Sequence, residues 1–96
     1  MGEPEASCFL RTPGLHQTEV DDDLVVYDPV RCRAITFNPT ARAVWERCDG
    51  TLTETDIVSQ LTDLFDADRE VIGREVGTLL AHLRTQGLIS VVSGTP

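Results

Sequence analysis

The chain has 96 residues, 41% of them hydrophobic, which suits one small domain and leaves little room for a deep catalytic cleft. The formal net charge is −8, all eight basic residues are arginines, and neither half of the chain forms a basic patch, so the composition argues against nucleic-acid binding. Three widely spaced cysteines without a Cys-x-x-Cys pair indicate neither a disulfide framework nor a zinc site.

The N-terminal segment has the composition of a tail. Residues 1–14 contain two prolines, two glycines and few periodic apolar residues, so a flexible tail is predicted there. The basic region and apolar run of a signal peptide are missing from it. No apolar stretch of the sequence approaches membrane-spanning length, so we expect a cytoplasmic protein without a membrane partner.

Three short β segments are predicted next, at 15–20, 24–27 and 33–37. The second is rich in β-branched and aromatic residues, and in the third the apolar Ile35 and Phe37 alternate with other side chains. The acidic run 21–23 and the Asp-Pro pair at 28–29 mark the turns between them. Three consecutive strands with short connections predict an antiparallel meander.

Helical periodicity begins after residue 37. Asn38 suits a helix cap and Pro39 the first helical position, and Gly50 is predicted to stop this helix. The apolar face of the first helix is Ala41, Val44, Trp45 and Cys48. A second helix is predicted behind a capping box at 53–56, and its apolar stripe is Ile57, Val58, Leu61, Leu64 and Phe65.

A third helix is predicted from Asp66 or Asp68 to about Gln86, and Gly87 ends it. Its core stripe is Ile72, Val76, Leu79, Leu80 and Leu83. Residues 88–92 form either a short strand or an extended tail packed on the core. Together these elements predict an α+β fold, a three-stranded antiparallel sheet followed by a three-helix bundle of winged helix-turn-helix type. The predicted domain spans 15–92, with tails at 1–14 and 93–96.

Three local motifs carry a resemblance to a known family. They are the Phe-Asn-Pro-Thr-Ala entry to the first helix, the Cys-Asp-Gly that follows it, and the His-Leu-Arg-Thr-Gln-Gly-Leu-Ile ending. In this order, over 15–90, they resemble the PqqD-like family of precursor-peptide recognition elements. The resemblance implies a winged-helix-like, non-catalytic chaperone. Such a protein binds the leader of a ribosomally made precursor peptide and presents it to a modifying enzyme, either a radical S-adenosylmethionine protein or a leader peptidase.

The resemblance also implies a binding site. In the family the leader adds as a strand to the third strand of the sheet and lies in a groove against the third helix. Carried over by position, the expected peptide-binding residues are Arg33, Ala34, Ile35, Thr36 and Phe37 on the strand, and Arg69, Ile72, Gly73, Val76 and Leu80 on the helix. Ile35, Phe37, Ile72 and Val76 can equally be core residues. Arg33, Arg69 and Arg74 are expected to border the groove, where an acidic leader residue would find a partner.

Two local features leave alternatives open. Gly73 and Gly77 share one helix face, which indicates either close packing against another helix or a bare strip on which a peptide side chain settles. Family members often have a glycine in the hairpin that corresponds to 28–33, and this chain has none, so the turn geometry and strand register are open.

The sequence gives no sign of catalysis. His16 and His82 are the only side chains that could act as unperturbed general bases near neutral pH, and no pattern links either to a nucleophile. No phosphate loop or metal-spaced cluster is present in the sequence, so neither a metal nor a cofactor is expected. The competing functions are a DNA-binding winged helix, which the negative charge disfavours, and a structural module that forms a homodimer through an edge strand.

Overall fold

The computed structural model describes residues 7–93 and has an α+β fold with three helices and two three-stranded antiparallel sheets. In chain order the elements are β1 (Ser7–Arg11), β2 (His16–Val20), β3 (Asp23–Asp28), β4 (Arg33–Phe37), α1 (Pro39–Glu46), β5 (Asp49–Thr53), α2 (Glu54–Phe65), α3 (Arg69–Thr85) and β6 (Ile89–Ser93). The predicted order, one sheet followed by helices, is therefore not confirmed. One strand separates α1 from α2, and further strands lie at both ends of the described chain.

The predicted meander is present as the sheet β2-β3-β4. The register of β3 against β4 runs without a shift from Leu24 opposite Phe37 to Asp28 opposite Arg33. Leu24, Val26 and Phe37 are buried, whereas every residue of β2 is exposed. The inner face of β3 and β4 thus covers the core, and this sheet has β2 and β4 as its two edges.

The second sheet, β5-β1-β6, was not predicted. Its central strand lies in the segment 1–14 that the sequence indicates as a flexible tail, and Phe9 is buried in the core. Residues 1–6 of that segment and 94–96 at the other end lie outside the described residues. Arg11 also ties β1 to α1, because its Nη1 donates to the carbonyl oxygens of Trp45 at 3.0 Å and Glu46 at 2.9 Å. Backbone pairing with two distant strands therefore makes a β-strand of a segment whose local composition does not suggest one.

The first helix begins as predicted. The Asn38 side chain accepts from the Ala41 N–H at 2.9 Å, and Pro39 holds the first helical position. Trp45 is buried, with its ring centroid 5.3 Å from that of Phe37, which anchors α1 on the meander. Gly50 does not stop this helix as predicted. The helix ends earlier, and Gly50 lies inside β5 with φ +89°.

The second and third helices pack against each other. The capping box of α2 is present, since Thr53 Oγ1 accepts from the Asp56 N–H and Asp56 Oδ2 accepts from the Thr53 N–H, both at 3.1 Å. The predicted apolar stripe of α2 is only partly core, because Leu64 and Phe65 are exposed. At the end of α3, Gly87 adopts φ +75°, and Leu88 N–H donates to the Leu83 carbonyl at 3.0 Å, the pattern of a Schellman cap.

Candidate functional site

The edge strand β4 is the first component of the candidate site. Within residues 7–93 it pairs with β3 on one side and with no strand on the other. An edge strand of this kind presents unpaired N–H and C=O groups to any segment that lies alongside it. Ala34 and Thr36 are exposed on one face of the strand, while Ile35 is partly buried against the core on the other. The strand therefore offers main-chain hydrogen bonds without a large side chain at its exposed positions.

An open depression on α3 is the second component. Its volume is about 730 Å³, and its lining residues are Val71, Arg74, Glu75, Thr78, Leu79 and His82. The spacing of these residues puts them on one helix face. Val71 is 43% exposed, and Leu79 is partly buried and packs against the core. The depression thus combines two apolar side chains with charged and polar groups around them.

Two hydrogen bonds bring the strand and the helix together. Arg33, the first residue of β4, donates through Nη1 to the side-chain oxygen of Gln86 and through Nη2 to the Gln86 backbone carbonyl at 3.1 Å. Gln86 follows Leu79 by seven residues, so both lie on the same side of the helix. The start of β4 is therefore next to the C-terminal end of the helix side that borders the depression. Arg33 Nε is buried and has no hydrogen-bond partner among the described residues.

The turn between β3 and β4 fixes this geometry without a glycine. The buried Asp28 accepts through Oδ1 from the backbone N–H of Val30 at 3.0 Å and of Arg31 at 3.3 Å. Its Oδ2 accepts from Arg31 Nη1 at 3.1 Å. Burial by itself raises the pKa of Asp28, but the hydrogen bonds from Arg31 and Val30 together lower that pKa below its ordinary value. Cys32 adopts φ +53°, the left-handed conformation that a glycine would take.

The same turn is docked on the end of α3. A Cβ built on Gly87 would lie 2.8 Å from Arg31 Nη2, so the Arg31 guanidinium packs directly over this glycine. Arg31 thus contacts the helix end, and Arg33 binds the residue before it. These contacts hold the edge strand at a set position relative to α3.

The structure separates the site residues expected from the sequence into two groups. On β4, Arg33, Ala34, Ile35 and Thr36 lie along the open edge, whereas Phe37 is buried against Trp45. On α3, the expected residues lie on other sides of the helix than the depression. Ile72, Val76 and Leu80 are buried in the core, and Gly73 faces α2. Arg69 donates a hydrogen bond to the Ser59 side chain at 3.1 Å.

The depression residues were largely missed from the sequence. Of the six, only Arg74 is expected at the groove from the sequence, and Leu79 is expected in the core stripe. The sequence does contain a signal for this helix face. Val71 and Leu79 are apolar, eight residues apart, and displaced by about a quarter turn from the stripe of Ile72, Val76 and Leu80. An apolar pair beside a complete core stripe indicates a second, exposed contact face.

Other chemical features of the described chain are few. Within residues 7–93, no three His, Cys, Asp or Glu side chains are grouped so that they could hold a metal ion. His16 and His82 are both exposed. None of the helices in this part of the chain has the length and apolar character needed to cross a bilayer.

Comparison with solved structures shows that the fold has been seen before. One similar chain is TbiB1 in complex with the TbiA(beta) leader peptide, with a TM-score of 0.74 and 15% sequence identity over 84% of this chain and 94% of that one. Another is lasso peptide synthetase B1 complexed with the leader peptide, with a TM-score of 0.74 and 21% identity over 85% of this chain and 96% of that one. No curated protein matches the chain significantly.

The family follows from the sequence match. The model for coenzyme PQQ synthesis protein D, PqqD, matches residues 23–89, which is more than half of the chain. This span contains β3, β4, β5 and all three helices, and therefore both components of the candidate site. The chain belongs to the PqqD family.

Proposed function

We propose that this protein is a non-catalytic peptide chaperone. It binds the leader of a ribosomally made precursor peptide by strand addition to β4 and presents the peptide to a modifying enzyme. The observation that carries the proposal is the open β4 edge, whose first residue Arg33 is hydrogen-bonded to Gln86 at the end of the helix that carries the depression. Membership of the PqqD family and the likeness to two chains solved with leader peptides support it.

Strand addition explains how one small surface gives useful affinity. Main-chain hydrogen bonds to β4 supply binding energy with little demand on sequence, and side-chain pockets supply selectivity. The exposed positions Ala34 and Thr36 are small, so another backbone can approach. We expect a dissociation constant of about 1 μM or lower, which corresponds to roughly −8 kcal/mol.

The depression on α3 supplies the side-chain contacts of this proposal. Every second side chain of a strand added to β4 points toward the same side as Arg33 and Ile35. Apolar leader side chains would bury Val71 and Leu79, while Arg74 would pair with an acidic leader residue. Phe37, Ile72, Val76 and Leu80 then support the site from the core behind it.

The proposal is tested by titration calorimetry with synthetic leader peptides taken from short precursor genes of the same genome. Val71→Asp places a charge in the depression at an exposed position, so the fold should survive and the affinity should fall roughly tenfold or more. Val91→Asp is the matched control, because Val91 is 39% exposed on β6 and lies outside the site. Equal affinities for the two variants would remove the depression from the binding site.

Hydrogen exchange locates the added strand. Bound peptide should slow exchange of backbone amides in β4 and leave those of β2, the other edge of the same sheet, unchanged. Protection confined to β2, β5 or β6 would contradict strand addition at β4.

The same edge can pair with a second copy of the chain, the homodimer alternative. Light scattering separates the two functions. A monomeric peptide chaperone gains the mass of one peptide, and a dimer paired through β4 is split by the peptide into one-to-one complexes. A structural module instead forms a dimer whose mass the peptide does not change. The partner is a modifying enzyme such as a radical S-adenosylmethionine protein or a leader peptidase, and co-purification with a candidate of each kind tests which one binds. The proposed setting is the cytoplasm, where precursor peptides are made.

A further inference from the structure

The apolar stripe of α2 continues beyond the core. Ile57, Val58 and Leu61 are buried, but the next members of the stripe, Leu64 and Phe65, are 56% and 37% exposed. The apolar stripe of a surface helix ordinarily faces the core and is covered by it. Two adjacent large apolar side chains in the last turn of α2 therefore form a contact face that the described chain does not cover.

These two side chains lie in a depression of about 580 Å³ with a polar rim. The other lining residues are Glu19, Asp21, Asp22, Pro39, Arg42, Ala43, Glu46 and Arg47. We call Leu64, Phe65 and this rim the α2-end patch. It shares no lining residue with the depression on α3. It borders the β2–β3 turn, at the opposite end of β3 from the Asp28–Arg33 turn that docks on α3.

The rim has an excess of unneutralised acid. Arg42 is paired with both Glu19 at 2.8 Å and Glu46 at 2.9 Å. Arg47 donates to the Gln60 side chain at 2.9 Å and to the Ala43 carbonyl at 3.0 Å. Both arginines of the rim are thus engaged within the chain. Asp21 and Asp22 are exposed and form no ion pair among the described residues.

We propose that the α2-end patch docks a partner protein that presents an apolar side chain flanked by arginine or lysine. Charge complementarity selects this occupant. A second copy of the chain would bring a further −8 charge against an acidic rim, and nucleic acid would bring phosphates against it. This surface is separate from the site proposed for the leader, so both can be occupied at once.

The probe for this proposal is a synthetic 18-residue peptide with a leucine stripe and lysines on both sides, added to the ¹⁵N-labelled full chain. The expected chemical-shift changes fall on residues 19–22, 42–47 and 64–65, and not on 71–82. Leu64→Ser should weaken binding roughly tenfold, because the partner loses a half-exposed apolar contact. Asp21→Asn with Asp22→Asn should also weaken binding and reduce its dependence on salt.

Two controls make the outcome decisive. Val91→Ser removes an exposed apolar side chain elsewhere and should leave the affinity unchanged. A peptide with the same leucine stripe but glutamate in place of lysine should not bind. Binding that is insensitive to Leu64→Ser, or shift changes that fall on 71–82, would overturn the proposal. So would a dimer of the chain that Leu64→Ser dissociates. Because the leader peptide is absent from this experiment, its result is independent of the function proposed for β4.

Discussion

At the scale of single residues, the turn between β3 and β4 shows how the chain dispenses with a glycine. Cys32 takes the left-handed conformation itself, and Asp28 satisfies two backbone N–H groups of the turn with one carboxylate oxygen. A non-glycine residue at positive φ is strained by about 1–2 kcal/mol. The side chain of Asp28 therefore stabilises a turn whose backbone is not intrinsically favourable.

Cys32→Gly should raise the free energy of unfolding. Relief of about 1–2 kcal/mol of strain exceeds the greater unfolded-state entropy of glycine, roughly 0.5–1 kcal/mol, so the net gain should be about 0.5–1 kcal/mol. Urea unfolding measures it. Cys32→Ala is the control, since alanine removes the thiol but keeps the positive φ, and it should give no gain. If both variants were equally stable, the strain at this position would be negligible.

The cysteines should differ sharply in reactivity. Burial raises the pKa of the Cys48 thiol to about 11, and Cys48 Sγ also donates to the Val44 carbonyl at 3.3 Å. Because the thiolate is the reactive form, iodoacetamide at pH 8 should modify the exposed Cys32 and spare Cys48 until the protein is unfolded. Peptide mass spectrometry measures the extent of modification at each site. Rapid labelling of Cys48 in the native protein would show that the connection between α1 and β5 opens locally.

At the scale of elements, α3 has three faces with different contacts. One side carries the core residues, a second faces α2, and the third lines the open depression. Gly73 and Gly77 belong to the second side. A Cβ on Gly73 would lie 3.9 Å from Val58, and one on Gly77 would lie 3.1 Å from Glu54 Oε2. Of the two explanations that the sequence left open, these contacts support close packing of helices.

Gly73→Ala should therefore stabilise the protein and leave leader binding unchanged. The added methyl group meets Val58 at an ordinary contact distance, and alanine favours the helix by roughly 0.5–1 kcal/mol relative to glycine. Gly77→Ala should gain less, because its methyl group must displace the Glu54 carboxylate. Urea unfolding and calorimetry with the precursor peptide check the two properties. If the Gly73→Ala protein were more stable but bound the peptide more weakly, the glycine face would be part of the binding site.

Element prediction from the sequence succeeded where local signals agree. The three meander strands have β-rich composition and turn residues, and the helices have clear caps, so all six elements were predicted. The segment 49–53 was misread because Asp49 and Gly50 are usual at a helix end, while here they begin β5. Both components of the candidate site remain proposals, and the sequence indicates them unequally. Edge strand β4 follows from chain order, but the contact of its first residue, Arg33, with Gln86 after α3 depends on packing that no local pattern encodes.

At the scale of the whole molecule, the sheet β5-β1-β6 is the part that sequence reasoning could not supply. Its three strands come from the two ends and the middle of the described chain, so their pairings join segments far apart in sequence. Cys8, Phe9 and Leu10 form too short an apolar run to indicate a strand without those partners. Non-local pairing of this kind overrides local composition.

The acid sensitivity of the whole fold should depend on Asp28. Its pKa is lowered in the folded protein, so its carboxylate stabilises the fold fully above the ordinary value of about 3.9. That contribution is lost as the pH falls through the folded pKa, because the unfolded chain binds the proton first. Asp28→Asn should thus be less stable than the parent at pH 7, and the difference should shrink below about pH 4.

Urea unfolding at pH 7, 5, 4 and 3 measures this convergence. The pKa of Asp49 is also lowered, chiefly by hydrogen bonds from the Thr51 side chain and backbone, so Asp49→Asn serves as a second case. A constant difference between the parent and Asp28→Asn over this range would show that Asp28 is not linked to acid unfolding.

Direct pairing of Ser7 with Ser93 sets how the fold can be joined to other proteins. Neighbouring antiparallel strands bring opposed Cα atoms to roughly 5 Å, so chain entry and exit coincide at one point on the surface. If residues 7–93 were inserted into a loop of a carrier enzyme, the two ends of that loop would therefore need to move apart very little. The attachment point would lie in the sheet β5-β1-β6, whereas β4 belongs to the other sheet.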